Sequence, residues 1–102
     1  EYDKMTRKKR GIPMKAVITV TGRDTVGIIA EVSALCAKAD ANILEITQSV
    51  LSEYFAMIML VDIDRLNMPF SEFSDAMAAL GNSRALDIRA VHEEIYDAMH
   101  RI

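Results

Sequence analysis

The sequence predicts a single α+β domain with the element order βαββαβ, followed by a short terminal helix. Alternating apolar residues mark the strands, and apolar residues at helical spacing mark the helices. A two-residue gap, Ser52-Glu53, joins the second and third strands as a hairpin. Right-handed βαβ units around that hairpin give an antiparallel sheet in the order 4-1-3-2 with both long helices on one face. This is the ferredoxin-like arrangement.

Length and composition agree with one small globular domain. The chain has 102 residues, of which 51% are hydrophobic and 26% charged. No apolar run approaches the ~18 residues of a membrane span, and no secretory signal region precedes the domain. We therefore expect a cytoplasmic protein. The single cysteine, Cys36, lies within an apolar helical pattern, which predicts a buried thiol and not a nucleophile.

Residues 1–13 differ in charge from the rest of the chain. They carry five basic and two acidic side chains, whereas the whole chain has a formal net charge of −3. A short basic stretch with one aromatic residue is typical of a solvated tail, so we expect a flexible leader and no direct nucleic-acid binding. The domain proper then spans residues 14–102, with Met14 as its functional start.

The first strand leads into a glycine-flanked turn. Lys15 to Thr21 alternate in polarity, with every second residue apolar and small or β-branched. The corner that follows, residues 22–28, reads Gly-Arg-Asp-Thr-Val-Gly-Ile. Asp24 and Thr25 are residue types that cap helices through a side-chain oxygen. The unpaired N–H groups of a helix start also attract a carboxylate or phosphate. From the residues alone, this turn is either a ligand site or a simple connection.

The first helix is expected over residues 26–39, where apolar residues cover more than half of its circumference. Such a helix must contact more than one neighbour, either the sheet and a second helix or the sheet and another subunit. Asp40-Ala41-Asn42 ends it, and Ile43 to Leu51 form the second strand. The third, Tyr54 to Ile63, is almost continuously apolar, which predicts a central strand buried on both faces.

The second half of the chain begins with a connection that ends at Asn67. This residue is expected to cap the next helix, with Pro69 in its first turn. Phe70, Phe73, Met77 and Leu80 form a narrow apolar stripe, and the residues 81–83, Gly-Asn-Ser, weaken or end the helix.

The last two elements follow the same logic. Residues 86–91 alternate as a fourth strand at a sheet edge. A final helical segment, residues 93–102, places Ile95, Met99 and Ile102 on one face, so we expect its end to dock. The second and fourth strands are edges, and either pairing of the second strand with its copy or stacking of the helix-free faces would cover apolar surface.

No catalytic constellation is predicted. The two histidines, His92 and His100, lie near the end of the chain, and no serine has the glycine-flanked setting of an activated nucleophile. Glu93, Asp97 and His100 share a helical face, but acidic and imidazole groups there are more typical of a solvated surface than of a metal site. No Walker phosphate loop occurs. We expect no catalytic residue, metal or cofactor.

The corner at residues 22–28 and Ala41-Asn42-Ile43 at the second strand, within the βαββαβ order, resemble the ACT domain, a small ligand-binding regulatory module. The resemblance covers Met14 to about Val91. With the terminal helix, the chain is especially similar to small stand-alone ACT proteins of bacteria and archaea. These are similar to the modules of glycine-cleavage transcriptional repressors and to the front end of formyltetrahydrofolate deformylases.

The resemblance implies a ligand site shared between subunits, between the corner of one chain and the start of the second strand of its neighbour. Asp24 matches an Asn or Asp that contacts an amino acid, Gly27 the corner glycine, and Asn42 an Asn that reaches across the interface. Backbone N–H groups at Val26, Gly27 and Ile28 suit an α-carboxylate, and Asp24 suits an α-ammonium. The implied ligand-binding residues are therefore Asp24, Thr25, Val26, Gly27, Ile28 and Asn42.

Two positions depart from the family pattern. Val26 replaces a common proline, so the corner is less constrained. Gly22 stands where some serine-binding members have histidine, which leaves the ligand open.

These features predict a non-enzymatic regulatory domain that binds a small amino acid and acts as a homodimer or larger homo-oligomer. The alternative is a ligand-free interaction module that docks onto an enzyme or transcription factor. A catalytic role ranks third, because the resemblance to the deformylase covers only its regulatory front end.

Overall fold

The computed structural model describes residues 2–3, 8–9, 14–23 and 26–99. Within the basic leader, β1 (Tyr2–Asp3) pairs antiparallel with β2 (Lys8–Lys9). The elements that follow are β3 (Lys15–Gly22), α1 (Ile28–Lys38), β4 (Asn42–Leu51), β5 (Tyr54–Asp62), α2 (Phe70–Arg84), β6 (Asp87–His92) and α3 (Glu93–Met99). The flexibility of the leader and the domain boundary after residue 13 stay predictions.

The main sheet has four strands in the order β4-β5-β3-β6, and all neighbours are antiparallel. When the four strands of this sheet are numbered in chain order, their spatial order is 2-3-1-4. The same order, taken from the opposite edge, is the predicted 4-1-3-2. The ferredoxin-like fold is therefore confirmed, with β5 in a central position and β4 and β6 at the edges.

One face of the sheet carries the core. Every second residue of β3 and β5 is buried there, and α1 and α2 cover this face with their own buried residues. Burial raises the pKa of the Cys36 thiol from its ordinary value of 9.0 to about 11, so the thiol stays protonated at neutral pH. The side chains at the centre of this core are Ile18, Val20, Ile28, Val32, Cys36, Met57, Met59, Val61, Phe73 and Met77.

The second face of β5 is open in a single chain. Tyr54 is 53% exposed and Ile58 is 41% exposed, whereas Phe55, Met57 and Met59 on the other face are buried. The prediction that β5 is buried on both faces is therefore wrong for one chain. The apolar run reflects a central position in the sheet, and α1 and α2 cover only the face that carries the core.

Both long helices differ from their predicted bounds. α1 begins at Ile28 after Gly27, two residues later than expected, because Gly27 lies in the left-handed region with φ 76°. α2 passes through Gly81 and ends at Arg84. Gly81 packs so closely on the start of β6 that a Cβ atom would lie 2.7 Å from the Leu86 carbonyl oxygen. The predicted break at Gly81 is therefore wrong. The helix is continuous, and the glycine allows close contact between the helix and the neighbouring strand segment.

Asn67 does not cap α2, contrary to prediction. The residue before α2 is Pro69, and among the described residues no side chain caps this helix. Instead, the Asn67 side chain donates to the Lys38 carbonyl oxygen (2.8 Å) and to Asp40 Oδ2 (3.1 Å). Its backbone N–H also donates to the Ala39 carbonyl oxygen at 3.0 Å. Asn67 therefore caps the C-terminus of α1 and joins it to the β5–α2 connection.

The terminal helix α3 contacts β3 and β6 but buries none of its described residues. Ile95 is 51% exposed and Met99 is 66% exposed. The predicted docking concerns the last residue, Ile102, which lies outside the described residues, so it stays a prediction. Among the helices that the structure describes, none has the length and apolarity needed to cross a membrane.

We expect Ala85→Gly to stabilise the protein by about 1 kcal/mol, because Ala85 ends α2 with φ 57°, a conformation in which a Cβ atom is strained. For a domain of this size, the thermal midpoint should rise by roughly 4 °C or more. Ala79→Gly is the matched control, because Ala79 is exposed within the same helix and its loss should lower stability by about 1 kcal/mol. Equal effects of the two substitutions on stability would contradict backbone strain at Ala85.

Candidate functional site

The two halves of the predicted site lie at opposite ends of the sheet. At the corner, Gly22 of β3 pairs with Phe55 of β5. At the other end of β3, Lys15 pairs with Asp62 of β5, and Asp62 also pairs with Asn42 of β4. Seven residue steps along β3 separate these ends, a distance of about 24 Å. One chain therefore does not bring Asn42 to its own corner.

The described part of the corner presents backbone groups. Gly27 precedes α1, and no side chain of the described residues caps this helix. The first N–H groups of α1 lack partners within the helix. The Ile28 side chain is fully buried, so Ile28 can offer a ligand only its backbone. Asp24 and Thr25 lie outside the described residues.

Arg84 connects this corner to the end of α2. Its guanidinium donates to the Glu31 carboxylate in the first turn of α1 and to the Val26 carbonyl oxygen. The corner and both long helices are thereby joined through one side chain. Arg84 is not predicted as a site residue, because the sequence predicts that α2 ends at Gly81, before Arg84. The available signal in the sequence is a basic residue one turn after that glycine.

Arg23 connects the corner to the β4–β5 hairpin. Its guanidinium donates to the Tyr54 hydroxyl at 2.8 Å, lies 5.0 Å from the centre of that ring, and forms an ion pair with Glu53 at 3.1 Å. All of these groups are exposed, so the stability contributed is small. No local sequence signal predicts this contact, because it joins residues 30 or more positions apart.

Leu86 explains the departure from the family pattern at Gly22. A Cβ atom on Gly22 would lie 2.1 Å from Leu86 Cδ2. The Leu86 side chain belongs to the core and is buried. A histidine at position 22 has no room while Leu86 keeps this position. A histidine at this position therefore requires the Leu86 side chain to move.

Asn42 lines two adjoining cavities at the end of the sheet opposite the corner. The larger has a volume of about 610 Å³ and the smaller of about 360 Å³. Both are lined by Asp40, Asn42 and Arg65. Ser33 and Ala37 of α1 border the larger one, whereas Asp62 and Asp64 border the smaller one. We call the smaller one the Asn42 cavity. Apart from Asn42, sequence analysis identified none of these residues as site residues.

The candidate metal ligands do not form a site in the part of the chain that is described. No group of three His, Cys, Asp or Glu side chains there is arranged to hold a metal ion. His100 lies outside the described residues. The other histidine, His92, stacks on Phe70 with ring centres 4.1 Å apart, which makes it a packing residue of β6 and α2.

Comparison with known sequences gives matches over most of the chain. A family model described as the ACT domain matches residues 15–91, a range that contains both the corner and Asn42. A UPF0237 protein of Methanococcus maripaludis is 45% identical over 86 residues, which cover 84% of this chain and 96% of that protein.

Solved structures agree with these matches. An ACT domain protein from Streptococcus pneumoniae is 37% identical with a TM-score of 0.72, covering 87% of this chain and 100% of that one. A formyltetrahydrofolate deformylase from Pseudomonas syringae is similar in fold, with a TM-score of 0.71 at 22% identity. That match covers 81% of this chain but only 28% of the deformylase chain.

We expect Gly22→Ala to lower the free energy of unfolding by about 1–3 kcal/mol, because the new Cβ atom would overlap the Leu86 side chain. Chemical denaturation measures this change. The same substitution in a Leu86→Ala background should cost much less, because the overlapping atoms are gone. An undiminished cost in that background would show that Leu86 is not the reason for the glycine.

Proposed function

Because the chain belongs to the ACT domain family, we propose that it is a regulatory module that binds a small amino acid between two copies of itself. In this proposal, ligand binding changes how the module acts on a metabolic enzyme or regulator. The observation that carries the proposal is the position of Asn42, which lines cavities of ligand size at the end of the sheet far from the corner.

The proposed site joins the corner of one copy to the Asn42 end of its neighbour. The corner contributes the N–H groups at the start of α1, which suit an anionic group. Asn42 contributes an amide that both donates and accepts hydrogen bonds. The residues that we propose for ligand binding remain the six expected from the sequence, namely Asp24, Thr25, Val26, Gly27, Ile28 and, from the neighbouring copy, Asn42.

The edge of β4 is the proposed contact between copies. β4 pairs with β5 on one side only, and Glu45 is the one charged residue along its length. Ile46 and Val50 are opposite the core residues Met59 and Phe55, yet Val50 is 70% exposed. A long edge strand without lysine or proline favours pairing with another strand. Pairing with a second copy would bury these side chains and extend the sheet.

The open face of the sheet favours the alternative function. Tyr54 and Ile58 lie there without cover from α1 or α2, so this face suits the apolar surface of a partner. In that alternative, the corner is structural and the protein docks, without a ligand, onto an enzyme or transcription factor. Ligand binding distinguishes the two functions.

We further propose that the protein is cytoplasmic and not an enzyme, and that it needs no cofactor. The Cys36 thiol is buried and protonated, and His92 is stacked on Phe70, so neither is placed as a nucleophile or general base. The deformylase likeness spans 28% of that chain and is a likeness of fold. An assay of formyltetrahydrofolate hydrolysis by the pure chain tests the non-enzymatic assignment.

A thermal-shift screen of the twenty common amino acids tests the ligand proposal. A ligand present at ~100 times its dissociation constant adds about 2.7 kcal/mol if it binds only the folded state. For a domain of this size that should raise the midpoint by on the order of 10 °C. Asn42→Ala and Asp24→Ala should each remove most of this shift and leave the unliganded midpoint nearly unchanged.

Asp75→Ala is the matched control, because Asp75 is an exposed residue of α2 outside the corner and both cavities. It should bind as the wild type does. Flat melting curves with every amino acid at millimolar concentration would exclude the ligand proposal and favour the interaction module.

Sedimentation at micromolar concentration should show a homodimer, and Val50→Lys should convert it to a monomer by placing charges at the β4 edge. Val50 is exposed, so the variant should fold normally. Ile58→Lys is the matched control on the open face and should remain dimeric. Dissociation by Ile58→Lys alone would instead identify stacked open faces as the interface, and a monomeric wild type would exclude the shared site.

A further inference from the structure

The Asn42 cavity is lined by residues of opposite charge. Among the described residues, its lining includes Asn42, three aspartates (Asp40, Asp62 and Asp64) and Arg65. Its volume of about 360 Å³ lies at the lower end of the range found for small-molecule sites. These five residues are described, whereas Asp24 and Thr25 of the corner are not.

Arg65 is not paired with these carboxylates. The ion pairs between described residues involve Arg23, Arg84 and Arg89, and none involves Arg65. Asp40 Oδ2 accepts from Asn67, and Asp62 Oδ1 accepts from the Asp64 N–H at 2.8 Å. The second oxygen of Asp40 and that of Asp62 receive no hydrogen bond from a described donor. Separated opposite charges around one cavity complement a molecule that carries both charges itself.

The walls of the cavity are held by hydrogen bonds from three segments. The Met14 N–H donates to Asp64 Oδ1 at 2.8 Å, and the Ile63 N–H donates to the Met14 carbonyl oxygen at 2.9 Å. Asn67 fixes Asp40 and the end of α1, as described above. The carboxylates therefore lie in positions set by the fold, so binding loses little side-chain entropy.

Asp40 occupies a backbone conformation that favours glycine. Its φ is 61° at the residue that follows the last turn of α1, where the Ala41 N–H returns to the Cys36 carbonyl oxygen. Glycine is the commonest residue at such helix ends. Replacing Asp40 by glycine therefore removes the carboxylate without straining the fold.

We propose that the Asn42 cavity holds the charged head group of a small amino acid, with the Arg65 guanidinium on the α-carboxylate and the Asp40 carboxylate on the α-ammonium. Arg–carboxylate pairs are strong because two parallel hydrogen bonds form. Asn42 lines the same cavity, and its amide can both donate and accept hydrogen bonds. The inference rests on the proposed amino-acid binding and replaces the head-group placement that the resemblance implies. The head group lies at the Asn42 end and not on Asp24 and the corner N–H groups, and the ligand side chain points to the neighbour's corner.

Matched ligand analogues test this orientation by calorimetric titration. The probes are L-alanine and L-serine, each compared with its amide, which lacks the carboxylate, and with its 2-hydroxy acid, which lacks the ammonium. Arg65→Gln should reduce the preference for the amino acid over its amide about 10-fold or more. Asp40→Gly should reduce the preference for the amino acid over the hydroxy acid by a similar factor.

The controls separate recognition from folding. Ala85→Gly makes the same backbone change at the end of α2, and Arg89→Gln removes an exposed arginine outside the cavity; both should bind as the wild type does. Asp40→Gly should melt at or above the wild-type midpoint. Amino-acid binding with unchanged analogue preferences in both cavity variants overturns the inference and leaves the proposed function standing. A wild type that binds none of the twenty amino acids overturns both.

Discussion

The pairing of β3 with β5 on one side and β6 on the other determines where every other part of the molecule lies. β3 is the only strand of the main sheet whose two neighbours are both distant in sequence. Its register places the corner at one end of the sheet and the Asn42 cavity at the other. It also places Ala16, Ile18 and Val20 on the face that α1 and α2 cover. Core, corner and cavity are thus consequences of one set of backbone pairings.

Much of this fold follows from the sequence, because the hydrophobic periods are clear. The residues of β3 and β6 alternate in polarity, the Phe70 stripe is helical, and the two-residue hairpin fixes the order of β4 and β5. The errors have a common physical origin in tertiary contacts. The sequence predicts a helix end at Gly81, but this glycine packs closely on Leu86 inside the helix. The sequence also predicts Asn67 as the N-cap of α2, but its side chain contacts the end of α1.

The site was less predictable than the fold. Gly27 and Asn42 could be predicted from local sequence. A glycine before a helix indicates a positive φ, and an asparagine at the start of a strand indicates an exposed amide. Arg23 and Arg65 leave none, because Arg23 contacts residues far away in the chain and Arg65 lines a cavity formed by separate segments. The signal for Arg84 is only its position one turn past Gly81. The positive φ angles of Asp40, Ser52 and Ala85 could not be predicted either, because glycine is the residue that normally indicates such a conformation.

The separation of the corner from Asn42 has a consequence for regulation. Residues about 24 Å apart along one sheet contribute to a single small ligand only when they come from different copies. A ligand bound by two copies stabilises their association by the same factor by which association strengthens its own binding, because the two equilibria are linked. No hinge or change of fold is then required. The antiparallel register that separates the two half-sites in one chain makes ligand concentration and assembly one coupled equilibrium in the proposed module.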